Sequence, residues 1–122
     1  MKSILFVVAL VSLNCGAQPA ERAPVTDARP LMLAALRSAD GQAYGQLTGD
    51  IADAISKRFS ATTPIFIDVT TEKRYRQAGC SRLKLSFWQD GVLLPGAKTP
   101  RKQTIEFGIN YCLDGMPPKS LI

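Results

Sequence analysis

The sequence predicts an α+β domain: two N-terminal helices packed on one face of a three- to four-stranded antiparallel meander sheet, closed by one disulfide. Three observations predict it. Residues 80–89 and 103–112 alternate apolar and polar with period two, the pattern of half-buried strands. One antiparallel register between them sets Leu83 against Ile109, Leu85 against Phe107 and Phe87 against Ile105, and brings Cys80 opposite Cys112 within disulfide reach. The third observation is order, because two apolar stripes with helical spacing precede these strands instead of alternating with them.

The N-terminus reads as a signal peptide over residues 1–17. Lys2 supplies a positive start, residues 4–13 form an uncharged apolar run, and Cys15, Gly16 and Ala17 are small residues suited to cleavage after Ala17. The run is too short for a membrane span, which needs about 20 residues. Export to the periplasm or beyond is therefore expected, with no transmembrane span in the mature chain. Lipidation of Cys15 is the alternative, although Ser12 and Asn14 depart from the pattern that marks such cysteines. Either way Cys80 and Cys112 remain as the pair for an oxidising compartment.

Residues 18–25, with two prolines and no periodicity, are expected to be a flexible leader to a single domain over residues 26–122. The first helix should start near Thr26 or Asp27, hold Pro30 in its first turn, present Leu31 to Leu36 as its apolar body and stop at Gly41. Residues 41–49, rich in Gly and Gln, read as a loop. Thr48 could cap the second helix, whose expected buried stripe is Ile51, Ile55 and Phe59 with Ala52 and Ala54. Residues 65–71 form the first strand, with Ile65, Ile67 and Val69 facing the helices. Gln89, Asp90, Gly91 and Val92 read as a tight hairpin turn, followed by a short strand over residues 92–94. Residues 97–102 form a basic loop before the last strand, and Pro117 and Pro118 stiffen the tail.

Catalytic chemistry has little to stand on. The chain has no histidine, which removes Ser-His and Cys-His nucleophile pairs and histidine metal sites. Asp50 and Asp53 lie three apart on one helix, yet the helix dipole and solvent exposure account for them. Gly45, Gly49 and Thr48 resemble a phosphate loop only superficially, without a Gly-Lys-Ser/Thr element. No catalytic residue, metal or cofactor is expected.

Charge is more informative. Lys73, Arg74, Arg76, Arg82, Lys84, Lys98, Arg101 and Lys102 stand against Asp90 alone in that stretch, within a chain of formal net charge +5. With Trp88 among them they form a candidate partner-binding stripe for an envelope protein with an acidic surface. The competing explanation is that an outward sheet face ordinarily carries Lys and Arg, which protect it from aggregation. Nucleic acid is disfavoured because no motif of a nucleic-acid fold accompanies the charge. Oligomeric state is left open.

Cys80-Ser-Arg-Leu83, Phe87-Trp88-Gln89, residues 105–112 and Asp114-Gly115-Met-Pro-Pro118 together resemble small exported proteins encoded among conjugative-transfer and type IV secretion genes of Gram-negative bacteria. The resemblance covers roughly residues 28–120 and carries over no catalytic or ligand-binding residue. It implies a periplasmic, non-enzymatic accessory of DNA-transfer machinery. An exported inhibitor of a cell-envelope enzyme, inserting the loop at residues 98–102, is the alternative.

Overall fold

A computed structural model describes residues 21–122. The expected signal peptide, its expected cleavage point and Cys15 lie outside the described residues. The elements run β1 (Ala23–Val25), α1 (Arg29–Arg37), β2 (Gln42–Leu47), α2 (Asp50–Arg58), β3 (Ile65–Arg74), β4 (Cys80–Val92) and β5 (Arg101–Cys112). They build one five-stranded sheet in the order β1-β2-β3-β4-β5, with β1 parallel to β2 and every other neighbour antiparallel. The expected fold class is thereby corrected: the sheet is larger than a three- to four-stranded meander, it is mixed, and strands interleave with the helices instead of following them.

Both unexpected strands hide behind weak composition. Ala23, Pro24 and Val25, expected in the leader, pair parallel with Gly45, Gln46 and Leu47. Residues 42–47, expected as loop, are a strand whose inward side chains are Ala43, Gly45 and Leu47. Two of the three are small because α1 lies close against the strand. A Cβ at Gly45 would sit 2.5 Å from Leu31 Cδ1 and 3.0 Å from the Ala23 carbonyl oxygen. The packing that makes β2 a buried strand thus strips it of the β-branched residues by which a strand is recognised.

The β4–β5 register is the expected one pair for pair, and the Cys80–Cys112 disulfide is present with Cα atoms 4.1 Å apart. Ile67, Val69, Leu83 and Leu85 are fully buried, and Leu31, Met32 and Ala35 of α1 cover them. Two departures occur along β4. The Asp90-Gly91 dipeptide makes a bulge within the strand, not a hairpin turn, and the ladder resumes at Val92 opposite Arg101. Gln89 is consequently buried, and its amide donates to Ser56 Oγ at 3.0 Å and to the Thr63 carbonyl at 2.9 Å. The reversal comes later, in an exposed loop over residues 94–100.

Burial of the predicted apolar sets is uneven. On α2 only Ala52 is buried, while Ile51 is 64% and Ile55 37% exposed, contrary to the expected stripe. On β5, Ile105 is 68% and Phe107 46% exposed although both share the helix side of the sheet with Leu83 and Leu85. A nine-residue helix is about 14 Å long and about 10 Å wide, whereas five strands about 4.8 Å apart span about 19 Å. Helix α1 packs mainly on β2 and β3 and reaches β5 only at the end where Ile109 and Tyr111 lie against the core, which leaves Ile105 and Phe107 uncovered at the β5 margin. Between that margin and α2 runs an apolar groove of about 270 Å³, lined by Leu47, Ile55, Phe59, Phe87, Leu94 and Ile105 among others.

Candidate protein-binding face

Alternation places Tyr44 of β2, Phe66 and Asp68 of β3, Trp88 of β4 and Lys102 and Thr104 of β5 on the face away from the helices. Tyr44 stands opposite Asp68, Phe66 opposite Trp88, and Trp88 opposite Thr104. The Phe66 and Trp88 rings lie 4.6 Å apart. Asp68 ties the cluster together, accepting from Trp88 Nε1 at 2.9 Å and from Arg22 Nη1 at 2.7 Å. Arg22 also donates to the carbonyls of Gly45 and Ile67.

The cations are held by ring faces. The Arg22 guanidinium lies 4.3 Å from the Phe66 centroid, 5.5 Å from Trp88 and 5.7 Å from Tyr44, and Lys102 Nζ lies 4.2 Å over Trp88. Such contacts fall within the roughly 6 Å reach of a cation–π interaction. Arg22 neutralises Asp68, so the acid at the centre of the platform does not oppose the positive field around it. Trp88 is framed by these side chains and not by the C-terminal tail, which docks elsewhere through Lys119 N–H on Gln77 and Ile122 C=O on Arg76 N–H.

The predicted stripe divides in the structure. Arg82, Lys84, Trp88 and Lys102 share the open face, and a bulge between Thr71 and Lys73 brings Lys73 onto it opposite Arg82. The same bulge turns Arg74 to the helix side, where Nη2 donates to the Ala39 carbonyl at 3.1 Å. Arg101 lies opposite Val92 on the helix side, Arg76 in the β3–β4 connection and Lys98 in the β4–β5 loop. Two stripe members are partly engaged. Lys84 pairs with Glu106 at 3.6 Å, an exposed contact of at most about 1 kcal/mol. The Arg82 guanidinium reaches Asn110 Oδ1 at 3.3 Å, beside the Tyr75 hydroxyl that donates to the same oxygen at 2.7 Å.

Sequence reasoning missed Arg22 and Tyr44 altogether. Arg22 stands alone in a proline-containing stretch, and only pairing of β1 carries it across the sheet. Tyr44 belongs to the strand that read as a loop. The carboxylates of α2 do not form a joint site: Asp53 borders a shallow hollow with Thr48, Ser56 and Thr63, and Asp50 is not among its lining residues. Among the described residues no three His, Cys, Asp or Glu side chains gather as a metal site, and no helix is long and apolar enough to cross a membrane. Compared with known protein families, curated proteins and solved structures, the chain matches none.

Proposed function

We propose that the protein is an exported, non-enzymatic accessory domain that binds an acidic surface of another envelope protein, as part of a conjugation or type IV secretion apparatus. One observation supports this reading most: an open sheet face bears Tyr44, Phe66 and Trp88 side by side, with Arg22 and Lys102 over their rings. Trp, Tyr and Arg are the residues that dominate binding energy at protein interfaces. Rings already flanked by cations present a flat surface with positive edges, suited to carboxylates at the rim and apolar side chains at the centre.

The test is capture of a partner from the envelope fraction by the wild-type chain and by a Lys84→Glu, Trp88→Ala, Lys102→Glu variant. The wild type retains a partner that the variant loses, and its retention weakens as salt rises because exposed charges are screened. A folded variant that keeps the same partner overturns the assignment of this face.

The alternative, an inhibitor of an envelope enzyme, draws on the exposed loop between β4 and β5, which carries Lys98. It predicts that Lys98→Glu abolishes inhibition of a target that the open-face variant still inhibits.

A further inference from the structure

Strand β5 closes the sheet on one side and has no strand on its outer edge among the described residues. One bond shows which of its backbone groups point outward. Cys112 gives its N–H to the Met116 carbonyl at 3.1 Å instead of to β4. An antiparallel ladder alternates inward and outward pairs, so Thr104, Glu106, Gly108 and Asn110 turn their N–H and C=O to the edge. Met116 occupies the edge at Cys112, which leaves an open run centred on Phe107.

This run lacks the usual protection of an edge. Proline, bulges and repeated charge normally block strand addition, but between Thr104 and Asn110 there is no proline and Glu106 is the single charge. On the helix side of the same run, Ile105 and Phe107 are exposed.

We propose that β5 pairs antiparallel with β5 of a second copy about a two-fold axis at Phe107, joining two sheets into one. Phe107 then meets its own counterpart, Ile105 meets Ile109, Thr104 meets Asn110, and Glu106 meets Gly108. Like parity in every pair keeps the helix faces of both copies on one side, so the exposed apolar side chains become neighbours.

Charge selects this register. At Gly108 the Arg82 guanidinium of the same chain lies over the backbone, its Cζ 2.8 Å from where a Cβ would stand. Glu106 of one copy, held loosely by its own Lys84 and set opposite Gly108 of the other copy, therefore also meets Arg82 of that other copy, and symmetry makes two such contacts. Centring the axis on Glu106 would instead oppose the two Glu106 carboxylates. Centring it on Ile105 would bring Lys102 against Gly108 and its overlying Arg82. Both alternatives set like charges face to face.

The test uses the disulfide-intact chain in sedimentation equilibrium from low to high micromolar concentration, with circular dichroism as the check on folding. The wild type shifts from monomer to dimer mass. Glu106→Arg alone and Arg82→Glu alone stay monomeric, and the double exchange restores the dimer. Under mild oxidation Phe107→Cys forms a covalent dimer, whereas Ile105→Cys and Ile109→Cys singly do not, because each faces the other residue. A wild type that stays monomeric throughout, including one whose edge takes up an acidic peptide of another protein instead, overturns the proposal. So do a folded double exchange that remains monomeric and cross-linking at 105 equal to that at 107. Phe107 lies on the helix side of the sheet, away from Lys84, Trp88 and Lys102, so failure of cross-linking there leaves the open-face reading standing, whereas Arg82 and Glu106 border both surfaces.

Discussion

The two edges of this sheet are treated in opposite ways. The β1 edge is three residues long, contains Pro24, and is locked by Arg22 lying across β2 and β3 and by Thr48, which donates both its N–H and its hydroxyl to the Val25 carbonyl. The β5 edge is twelve residues long, free of proline, and has exposed apolar side chains on its helix side. A short, proline-bearing edge with a side-chain clasp cannot accept another strand. A long unprotected one invites it. The difference locates where this domain is finished and where it is open, and the open margin coincides with the part of the sheet that α1 fails to cover.

The largest expected effect concerns what holds β5 in place. Replacing Cys80 and Cys112 by Ser should cost about 3 to 4 kcal/mol on the chain-entropy model for the loop between them, read as a lower denaturant midpoint. Next comes the β1 side, where Gly45→Val forces α1 away from β2 and should cost about 1 to 3 kcal/mol. Arg22→Ala should cost about 1 to 2 kcal/mol by removing charged hydrogen bonds from a partly buried Asp68. It should also raise the mobility of the Trp88 ring, visible in its fluorescence anisotropy. By contrast Phe107→Ala, which loses only a half-exposed ring stacked 5.9 Å from Phe87, should cost less than about 1 kcal/mol in monomer stability. A cost as large as a core truncation would mean that β5 is covered after all.

The smallest effect is electrostatic and lies at the start of α1. The Arg29 side chain, and then its backbone N–H, hold the Asp27 carboxyl at about 2 instead of the usual 3.8. A carboxyl depressed in the folded state contributes stability that is full above the unfolded value and is lost as pH falls through the folded one. The wild type should therefore lose a small margin over Asp27→Asn between about pH 4 and pH 2, measured as the difference in thermal midpoint. A margin that does not change over that interval would show that the pair contributes nothing.

How much of this was legible in the sequence follows the same division. The β4–β5 half was readable to the register, because Leu83, Leu85, Ile109 and both cysteines carry strong period-two alternation. The β1–β2 half was not. Gly45 and Ala43 are small to admit α1, and Ala23 to Val25 gain strand structure only from a non-local parallel partner. The same alternation that revealed β5 also misled about its burial. Periodicity reports which face a side chain takes, but not whether a helix extends far enough to cover it, so Ile105 and Phe107 read as core. For the open face, Trp88 and Lys84 could be assigned from alternation, whereas Lys102, read as loop, lies in β5, and Lys73 and Arg74 lie at the end of β3, where a bulge sends them to opposite faces. Arg22, which organises the aromatic cluster, left no local signal.

Amide hydrogen exchange at β5, followed residue by residue as protein concentration rises, tests the open edge most directly. Ile105, Phe107 and Ile109, whose N–H groups bond to β4, should be protected at every concentration. Thr104, Glu106, Gly108 and Asn110 should exchange freely in dilute protein and become protected as copies pair. Outward amides that remain unprotected at all concentrations would contradict pairing between copies, and outward amides protected already in the dilute monomer would contradict an open edge.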